Sequence, residues 1–181
     1  MMPNPSVPFL FPSVPFLFIS MPNPSVPFLF IDVPGTTVRS ASGSHSNAVE
    51  ANTCRELVTA LLTKNIPPTS IAIITFYKEQ LGVMERFANQ HQIDLHTVDS
   101  VQGREKDIVI LLTTRTAIQV NRVELLDDTL RMNVAMTRCC HGQFVLGNAP
   151  HFRHCRTGAV SSGGPQLYMV VSTTTLPDLL D

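Results

Sequence analysis

The feature of this sequence that most constrains its fold is a continuous apolar run, Ile-Val-Ile-Leu-Leu at residues 108–112. A second such run, Ile71 to Phe76, precedes it along the chain. Neither run shows the alternation of apolar and polar residues that is typical of strands with one solvated face. Both therefore predict strands that are buried on two sides, in an α/β fold whose parallel sheet is flanked by helices.

Helical segments alternate with these strands. Ser46 or Asn47 is placed to cap a helix, Glu50 is placed to reach back to that cap, and apolar residues at helical spacing follow from Val49 to Leu62. The remaining predicted elements are helices at 78–91 and 129–140, and strands at 28–33, 95–98, 107–114 and 143–146. This order predicts a parallel sheet of about five strands between residues 24 and 150, with 167–175 as a candidate edge strand.

The two ends of the chain differ from this core. The heptapeptide Pro-Ser-Val-Pro-Phe-Leu-Phe occurs at 5–11, 12–18 and 24–30, and only the third copy continues into a predicted strand. The repeats are either a proline-rich ligand for a partner domain or a duplication without a role. We expect residues 1–23 to be disordered and residues 151–181 to form a divergent, loosely ordered tail.

Charge and cysteine content argue against a strongly basic nucleic-acid-binding protein and against a domain held by disulfides. The formal net charge is −1, so a nucleic-acid role must rest on particular residues and not on bulk charge. The four cysteines have irregular spacing, which favours reduced thiols in the cytoplasm or nucleus. Prolines interrupt the apolar N-terminus, and no run approaches the ~20 apolar residues of a membrane helix. We therefore predict no membrane association.

Three polar segments follow the predicted strands in order. They read Ile-Thr-Phe-Tyr-Lys-Glu-Gln at 74–80, Thr-Val-Asp-Ser-Val-Gln-Gly-Arg-Glu-Lys-Asp at 97–107 and Arg-Met-Asn-Val-Ala-Met-Thr-Arg at 131–138, the last closed by Gly147-Asn148. We expect the second to lie at the carboxyl ends of strands, where open α/β sheets bind ligands. We expect Asn133, Thr137 and Arg138 to lie on one helix, whose end would hold a guanidinium suited to phosphoryl charge.

These segments resemble motifs IV, V and VI of superfamily 1 helicases, in the branch typified by the nonsense-mediated-decay RNA helicase. That family writes them as T-P-Y-x-x-Q, T-V-D-x-x-Q-G-x-E-x-D and R-x-N-V-A-x-T-R-A-R, the last followed by G-N. The resemblance runs from about Phe28 to Asn148. It implies the second, C-terminal RecA-like domain of such an enzyme, whose family translocates along and unwinds RNA or DNA with ATP.

The resemblance also implies roles for individual residues. Arg138 matches the arginine finger that touches the γ-phosphate of ATP held by the other domain. The other ATP-binding positions implied are Gly103, Arg104, Glu105, Gln80 and Tyr77, the last two in a motif that joins the nucleotide cleft to the strand-binding face. The nucleic-acid positions implied are Thr97, Ser100, Arg115, Asn133 and Thr137.

Simpler structural roles remain open for several of these residues. Glu105 fits a solvated charge cluster with Lys106 and Asp107. Tyr77 fits packing alone, Arg131 fits an ion pair with Asp127 or Asp128, and Arg138 fits a structural role. The cysteines and histidines between 139 and 155 supply enough zinc ligands, but adjacent cysteines do not easily bind one ion together and no C-x-x-C pair occurs. We therefore predict no metal site.

Departures from the family pattern shape the functional expectation. Phe76 replaces the proline of motif IV, and Cys140 replaces the second arginine of motif VI. The sequence contains no G-x-x-x-x-G-K-[ST] phosphate loop and no Asp-Glu magnesium motif. ATP and Mg²⁺ would then be bound mainly by a first RecA-like domain, in cis or in trans, and single-stranded RNA or DNA would be the partner. We expect a fragment or degenerate copy that is inactive alone; the alternative is a non-enzymatic binding module that retains the helicase fold.

Overall fold

Six parallel strands form the central sheet of this protein. The computed structural model describes residues 28–101, 104–116, 129–150 and 169–172. In these ranges the strands of the sheet are β1 (Phe28–Asp32), β4 (Ile71–Thr75), β5 (Asp94–Thr97), β6 (Lys106–Leu112), β7 (Cys139–Gly147) and β8 (Met169–Ser172). Their order is β5-β4-β6-β7-β1-β8, and every neighbouring pair is parallel. The predicted α/β fold is confirmed.

Three helices and a small hairpin complete the described structure. The helices are α1 (Ala48–Thr63), α2 (Lys78–His91) and α3 (Thr129–Met136), with a short 3₁₀ turn at Pro68–Ser70. The hairpin pairs β2 (Val38–Arg39) with β3 (His45–Ser46) in the antiparallel sense, and the sequence analysis did not predict it. No helix in these ranges is long and apolar enough to cross a membrane.

Each face of the sheet has its own apolar cluster, as the continuous apolar runs predict. On β6, Ile108, Ile110 and Leu112 face the cluster that contains Leu57 of α1 and Met84 of α2. The alternate residues Val109 and Leu111 face the cluster that contains Met132 and Ala135 of α3. Because successive side chains of a strand point to opposite faces, a strand between two helical layers needs apolar residues at every position.

The structure corrects the predicted end of the third helix. Helix α3 ends at Met136, so Thr137 and Arg138 lie in the connection that follows it, and Cys139 and Cys140 begin β7. The reason is tertiary: Cys139 pairs with Lys106 at the start of the neighbouring strand, which draws the segment into the sheet. The prediction that Asn133, Thr137 and Arg138 share one helix is therefore wrong for the last two.

The start of α1 also differs from the prediction. Asn47 is the cap, and its side chain accepts hydrogen bonds from the backbone N–H groups of Val49 and Glu50. Glu50 does not reach back to the cap; Gln80 of α2 does, because its Oε1 accepts from the Asn47 N–H at 2.7 Å. Val49 is exposed, whereas Glu50 is fully buried. A residue from a distant helix has thus replaced the local capping partner.

Several predictions lie outside the described residues. These are the disordered repeat at 1–23 and most of the tail at 151–181. Within that tail, β8 pairs with β1 at the edge of the sheet, in agreement with the candidate edge strand at 167–175. The sheet consequently extends past residue 150, while the domain limits at 24 and 150 stay a prediction.

Gly147, the last residue of the interior strand β7, provides a test of the packing between the ends of β6 and β7. A Cβ atom built there would lie 2.0 Å from Oγ1 of Thr113 in the adjacent chain segment. Gly147→Ala should lower the free energy of unfolding by about 1–3 kcal/mol, because the clash requires movement of packed atoms. Gly82→Ala is the matched control, since Gly82 lies on the exposed face of α2 and a Cβ atom there would meet nothing within 4 Å. This control substitution should raise the free energy of unfolding by roughly 0.5–1 kcal/mol. If urea denaturation showed equal changes in the free energy of unfolding for the two variants, the predicted clash between residue 147 and Thr113 would be wrong.

Candidate functional site

The segments that resemble motifs V and VI meet at two points. Near the start of α3, Arg131 forms an ion pair with Asp99 at 2.5 Å. Asp127 and Asp128 lie outside the described residues, so the pairing of Arg131 with either of them stays a prediction. Beyond the end of α3, the N–H of Lys106 donates to the carbonyl oxygen of Arg138 at 3.0 Å. These contacts fix both ends of the third segment against the second.

The sheet separates the candidate residues between its two edges. Because all six strands are parallel, Thr75, Thr97 and Leu112 mark one edge, which we call the carboxyl edge. The opposite amino edge is marked by Lys106 and Cys139. A rise of ~3.3 Å per residue places the two ends of β6 about 20 Å apart.

This separation corrects the expectation for the segment at 97–107. We expected the whole segment at the carboxyl ends of strands, but it crosses from one edge to the other. Thr97 and Ser100 lie at the carboxyl edge, whereas Arg104 and Glu105 immediately precede β6 at the amino edge. Gln102 and Gly103 lie outside the described residues, so the predicted ATP contact of Gly103 stays a prediction.

Arg138 is held by its own segment at the amino edge. Its Nε donates to the carbonyl oxygen of Val134 at 3.0 Å, and its Nη2 donates to Oγ1 of Thr137 at 3.0 Å. Oγ1 of Thr137 in turn donates to the carbonyl oxygen of Asn133 at 2.8 Å. Among the described residues the guanidinium forms no ion pair, and the side chain is half-buried. The arrangement orients a positive charge without neutralising it, as binding of an anionic group requires.

Arg104 and Glu105 lie beside Arg138 and are exposed. Lys106 links them to it through the backbone bond to the Arg138 carbonyl. The Lys106 ammonium points elsewhere, to Asp94 at 3.0 Å and to the carbonyl oxygen of Thr69 at 2.6 Å. The Glu105 carboxylate therefore does not belong to an ion pair with its neighbour, and it stands exposed at the same edge as the Arg138 guanidinium.

At the carboxyl edge, Thr97 and Ser100 close a compact turn. Oγ of Ser100 accepts from the backbone N–H of Thr97 at 3.0 Å and donates to the Thr97 carbonyl oxygen at 3.0 Å. Oγ1 of Thr97 lies 3.1 Å from the same hydroxyl. Two hydroxyl groups are thus presented together where β5 ends, with Ser100 exposed. Each hydroxyl already donates within the turn, so a hydrogen bond to a phosphate oxygen requires its O–H group to rotate outward.

Tyr77 and Gln80 lie inside the protein. Tyr77 is 6% exposed and belongs to the cluster beneath α3, together with Phe76, which stands where the family has proline. Gln80 is fully buried: besides accepting from Asn47, its Nε2 donates to the Asn47 carbonyl oxygen and to Oε2 of Glu50, each at 3.2 Å. These contacts occupy the amide of Gln80, and both residues are nearer the carboxyl edge than the amino edge.

Arg115 is also buried, at 6% exposure, just past the end of β6. Its Nη1 makes a short hydrogen bond with Nε2 of His45, whose ring packs edge-on against Tyr77. Asn133, by contrast, is exposed on α3. The predicted nucleic-acid residues thus divide into exposed groups and a buried arginine that the hairpin covers.

The buried carboxyl of Glu50 belongs to this region but was not predicted from the sequence. Its Oε1 accepts from the N–H of Thr114 at 2.9 Å. Burial raises the pKa of Glu50 from 4.5 to about 8, against the opposing effect of hydrogen bonds from Thr114 and Thr113. The available signal was its spacing, because Glu50 precedes Cys54, Leu57 and Leu61 on the apolar stripe of α1.

The described cysteines do not form a metal site. Burial raises the pKa of Cys139 to about 11, which favours the neutral thiol over the thiolate that binds metals. Among the described residues no group of three His, Cys, Asp or Glu side chains is placed to hold an ion. Cys155, His151 and His154 of the zinc alternative lie outside these ranges.

Comparison with known proteins identifies the family. The profile of the AAA domain family matches residues 12–150. The chain is 39% identical over 119 residues to the ATP-dependent helicase upf1 of Schizosaccharomyces pombe, covering 60% of this chain and 13% of that protein. The chain belongs to the AAA domain family, among superfamily 1 helicases of the nonsense-mediated-decay type. The resemblance stated from the three motifs is confirmed.

Two further relatives show the breadth of this family. The helicase domain described here is 37% identical over 119 residues to the regulator of nonsense transcripts 1 homolog of Arabidopsis thaliana, covering 60% of this chain and 9% of that protein. It is 35% identical over 111 residues to the DNA replication ATP-dependent helicase/nuclease DNA2 of Xenopus tropicalis, covering 60% and 11%. The chain thus spans about a tenth of the length of these relatives.

A solved structure agrees with the fold of this helicase domain. It is the C-terminal domain of a possible DNA helicase from Lactobacillus plantarum WCFS1, with a TM-score of 0.51 and 11% identity. The alignment covers 80% of this chain and 84% of that one. At this identity the likeness concerns the fold, and it matches the RecA-like sheet predicted from the sequence.

Proposed function

We propose that this chain is the second RecA-like half of an ATP-dependent superfamily 1 helicase. The observation that carries the proposal is the position of Arg138 at the amino edge, oriented by Val134 and Thr137 and joined to the Glu105 segment through Lys106. In this proposal the amino edge faces ATP that is bound by a first RecA-like domain. Arg138 contacts the γ-phosphate, while Arg104 and Glu105 contact the nucleotide, Glu105 at the ribose.

The carboxyl edge then forms part of the track for single-stranded RNA or DNA. Its hydroxyls at Thr97 and Ser100, of which Ser100 is exposed, would donate to the phosphates that position a strand after rotating out of their turn. Asn133, which is exposed on α3, is a further candidate, whereas Thr137 lies at the amino edge and orients the guanidinium of Arg138. Arg115, Tyr77 and Gln80 are buried, so we assign them a positioning role between the two edges in place of direct contact.

The first RecA-like domain would bind most of the ATP and its Mg²⁺ ion. The reason is the absence from this sequence of a phosphate loop and of an Asp-Glu pair, the groups that hold the phosphates and the metal in enzymes of this kind. Mg²⁺ would neutralise charge that develops on the phosphates. This chain would contribute a guanidinium whose geometry is already set when the two domains close.

The substitution of Cys140 for the second arginine of motif VI supports one alternative. The largely exposed thiol of Cys140 cannot replace a guanidinium in binding an anion. Its partial desolvation, together with the charges of Glu105 and Asp107, raises its pKa. A non-enzymatic module that keeps the helicase fold and binds nucleic acid or protein would tolerate this loss. Such a module and a helicase half differ in whether they complete an ATP site.

An activity measurement on a chimera separates these alternatives. Residues 24–181 would be joined behind the part of the fission yeast helicase that precedes its matching segment, and single-stranded RNA would be added. We expect no ATP turnover above buffer from the isolated chain, and nucleic-acid-stimulated turnover from the chimera. Turnover by the isolated chain would refute the half-site proposal. A folded chimera without turnover would favour the binding module.

A further inference from the structure

Glu50 joins three separate parts of the fold. It lies in the first turn of α1, is fully buried, and contributes nothing to the core clusters as an apolar group would. One carboxyl oxygen accepts from the backbone N–H of Thr114 at 2.9 Å, after the end of β6. The other accepts from Nε2 of Gln80 at 3.2 Å, in α2. No apolar side chain of the same size could make these links.

The segment that Glu50 contacts has a strained backbone. Thr114 has a φ of 67°, a left-handed conformation that is unusual for a β-branched residue. The N–H of Arg115 donates to the carbonyl oxygen of Thr113 at 2.8 Å, so residues 113–115 form a γ-turn of the rare, strained type. Such a turn persists only where surrounding contacts hold it.

The turn sets the direction of the chain after β6. Past it, the N–H of Thr116 donates to Oγ1 of Thr37 at 2.9 Å, and the Arg115 guanidinium reaches His45. The same Thr37 hydroxyl donates to the carbonyl oxygen of Thr114 at 2.8 Å. Residues 113–116 and the hairpin are thus assembled as one unit at the carboxyl edge.

We infer that Glu50 is a positioning residue, which locks the strained turn at Thr114 to α1 and α2 and so sets the path of residues 114–116 at the carboxyl edge. Glu50 itself touches neither nucleotide nor nucleic acid. Its effect on strand binding rests on the proposed function, whereas its control of the turn does not. A carboxylic acid that merely stabilised the domain would support all regions alike, and this difference makes the inference testable.

Amide hydrogen exchange of the whole chain tests control of the turn. Glu50→Leu keeps the bulk of the side chain and removes both acceptors. We expect exchange at the amides of Arg115 and Thr116 to accelerate about tenfold or more beyond any change at Ile110, in the middle of β6. Acceleration by the same factor at all three amides would show a general loss of stability and would overturn the inference.

Rescue by glycine gives a sharper readout. Thr114→Gly, added to Glu50→Leu, removes the steric cost of the left-handed turn. The exchange rates of the Arg115 and Thr116 amides, relative to that of Ile110, should then return to within about threefold of their original values. Asn65→Gly is the matched control: Asn65 also has a positive φ, 62°, but it lies two residues past the end of α1, far from Glu50 in the first turn of that helix. Equal rescue by both glycines would overturn the inference.

A second variant covers the case in which Glu50→Leu does not fold. Glu50→Gln keeps one acceptor, and its NH₂ group must face a donor at either Thr114 or Gln80, so one link is lost. The same excess exchange at Arg115 and Thr116, smaller in size, is expected, again with rescue by Thr114→Gly. Unchanged ratios to Ile110 would overturn the inference.

The chimera extends the test to function. There, Glu50→Leu should raise the single-stranded RNA concentration for half-maximal ATP turnover by roughly tenfold, since small displacements of positioning groups have effects of this order. Thr114→Gly should restore it and Asn65→Gly should not. A normal half-maximal concentration in Glu50→Leu would refute the link to strand binding. A chimera that is inactive before any substitution bears on the proposed function alone, because the exchange measurement still decides the role of Glu50.

Discussion

Arg138→Ala in the chimera should reduce nucleic-acid-stimulated ATP turnover by ~10³-fold or more, the scale of arginine-finger loss in phosphoryl transfer. The guanidinium is held by Val134 and Thr137 and forms no ion pair among the described residues. It is therefore available to stabilise charge that develops on the transferring phosphoryl group. Affinity for single-stranded RNA should change far less, because in the proposed role the side chain acts at the amino edge and on the transition state. Steady-state ATP turnover and RNA binding by fluorescence anisotropy measure the two quantities.

Arg131→Ala is the control for this prediction. Arg131 belongs to the same motif and carries the same charge, but it forms an ion pair with Asp99 near the other end of α3. Its loss should reduce turnover by less than roughly tenfold, as expected for a partly exposed ion pair. If Arg138→Ala left turnover intact, or affected it no more than Arg131→Ala, Arg138 would not be the arginine finger.

The stability of the isolated chain should fall as the pH rises from about 5 to about 8. In the unfolded chain Glu50 ionises near 4.5, whereas in the folded chain its pKa is about 8. Between these values the folded state binds more protons, so each unit of pH lowers the free energy of unfolding, by at most about 1.4 kcal/mol from this group. The stabilisation is complete below the unfolded pKa and is lost as the pH passes the folded one. Urea denaturation at intervals across this range measures the slope.

Two glutamate variants isolate this contribution. Glu50→Gln removes the titrating group, so its stability should vary less between pH 5 and 8 than that of the unmodified chain. Glu56→Gln changes an exposed glutamate on the same helix and should leave the slope as it was. His96, whose pKa burial lowers, acts in the opposite direction in both variants. Parallel curves for the unmodified chain and Glu50→Gln would show that Glu50 does not titrate as stated.

Local sequence patterns predicted those helices and strands whose burial produces a clear apolar period. The apolar runs in β4 and β6 and the amphipathic stripe of α2 were assigned correctly, because burial on one or both faces leaves its period in the sequence. The end of α3 was not, since Cys139 and Cys140 fit a helix locally and only pairing with Lys106 draws them into β7. The hairpin at 38–46 was missed because its strands are two residues long and have no apolar period.

The candidate site was likewise predicted only in part from the sequence. Its residues were named from three motifs, which are contiguous strings and need no knowledge of the fold. Their assignment to two edges could not be read from those strings, because one segment, 97–107, crosses the full height of the sheet. The burial of Gln80 and Arg115 depends on Asn47, Glu50 and His45, which are distant in sequence.

The sequence by itself determined the alternation of buried strands and helices, the family and the identity of Arg138 as the central candidate. Each of these is written in short stretches of chain, as apolar period or as motif. The tertiary structure alone decided that Gln80, and not Glu50, completes the cap of α1, and that the carboxyl of Glu50 instead holds a left-handed threonine. The physical reason is that a buried hydrogen-bonding group must find a partner wherever the fold supplies one, and here the partners come from residues 33 to 64 positions away.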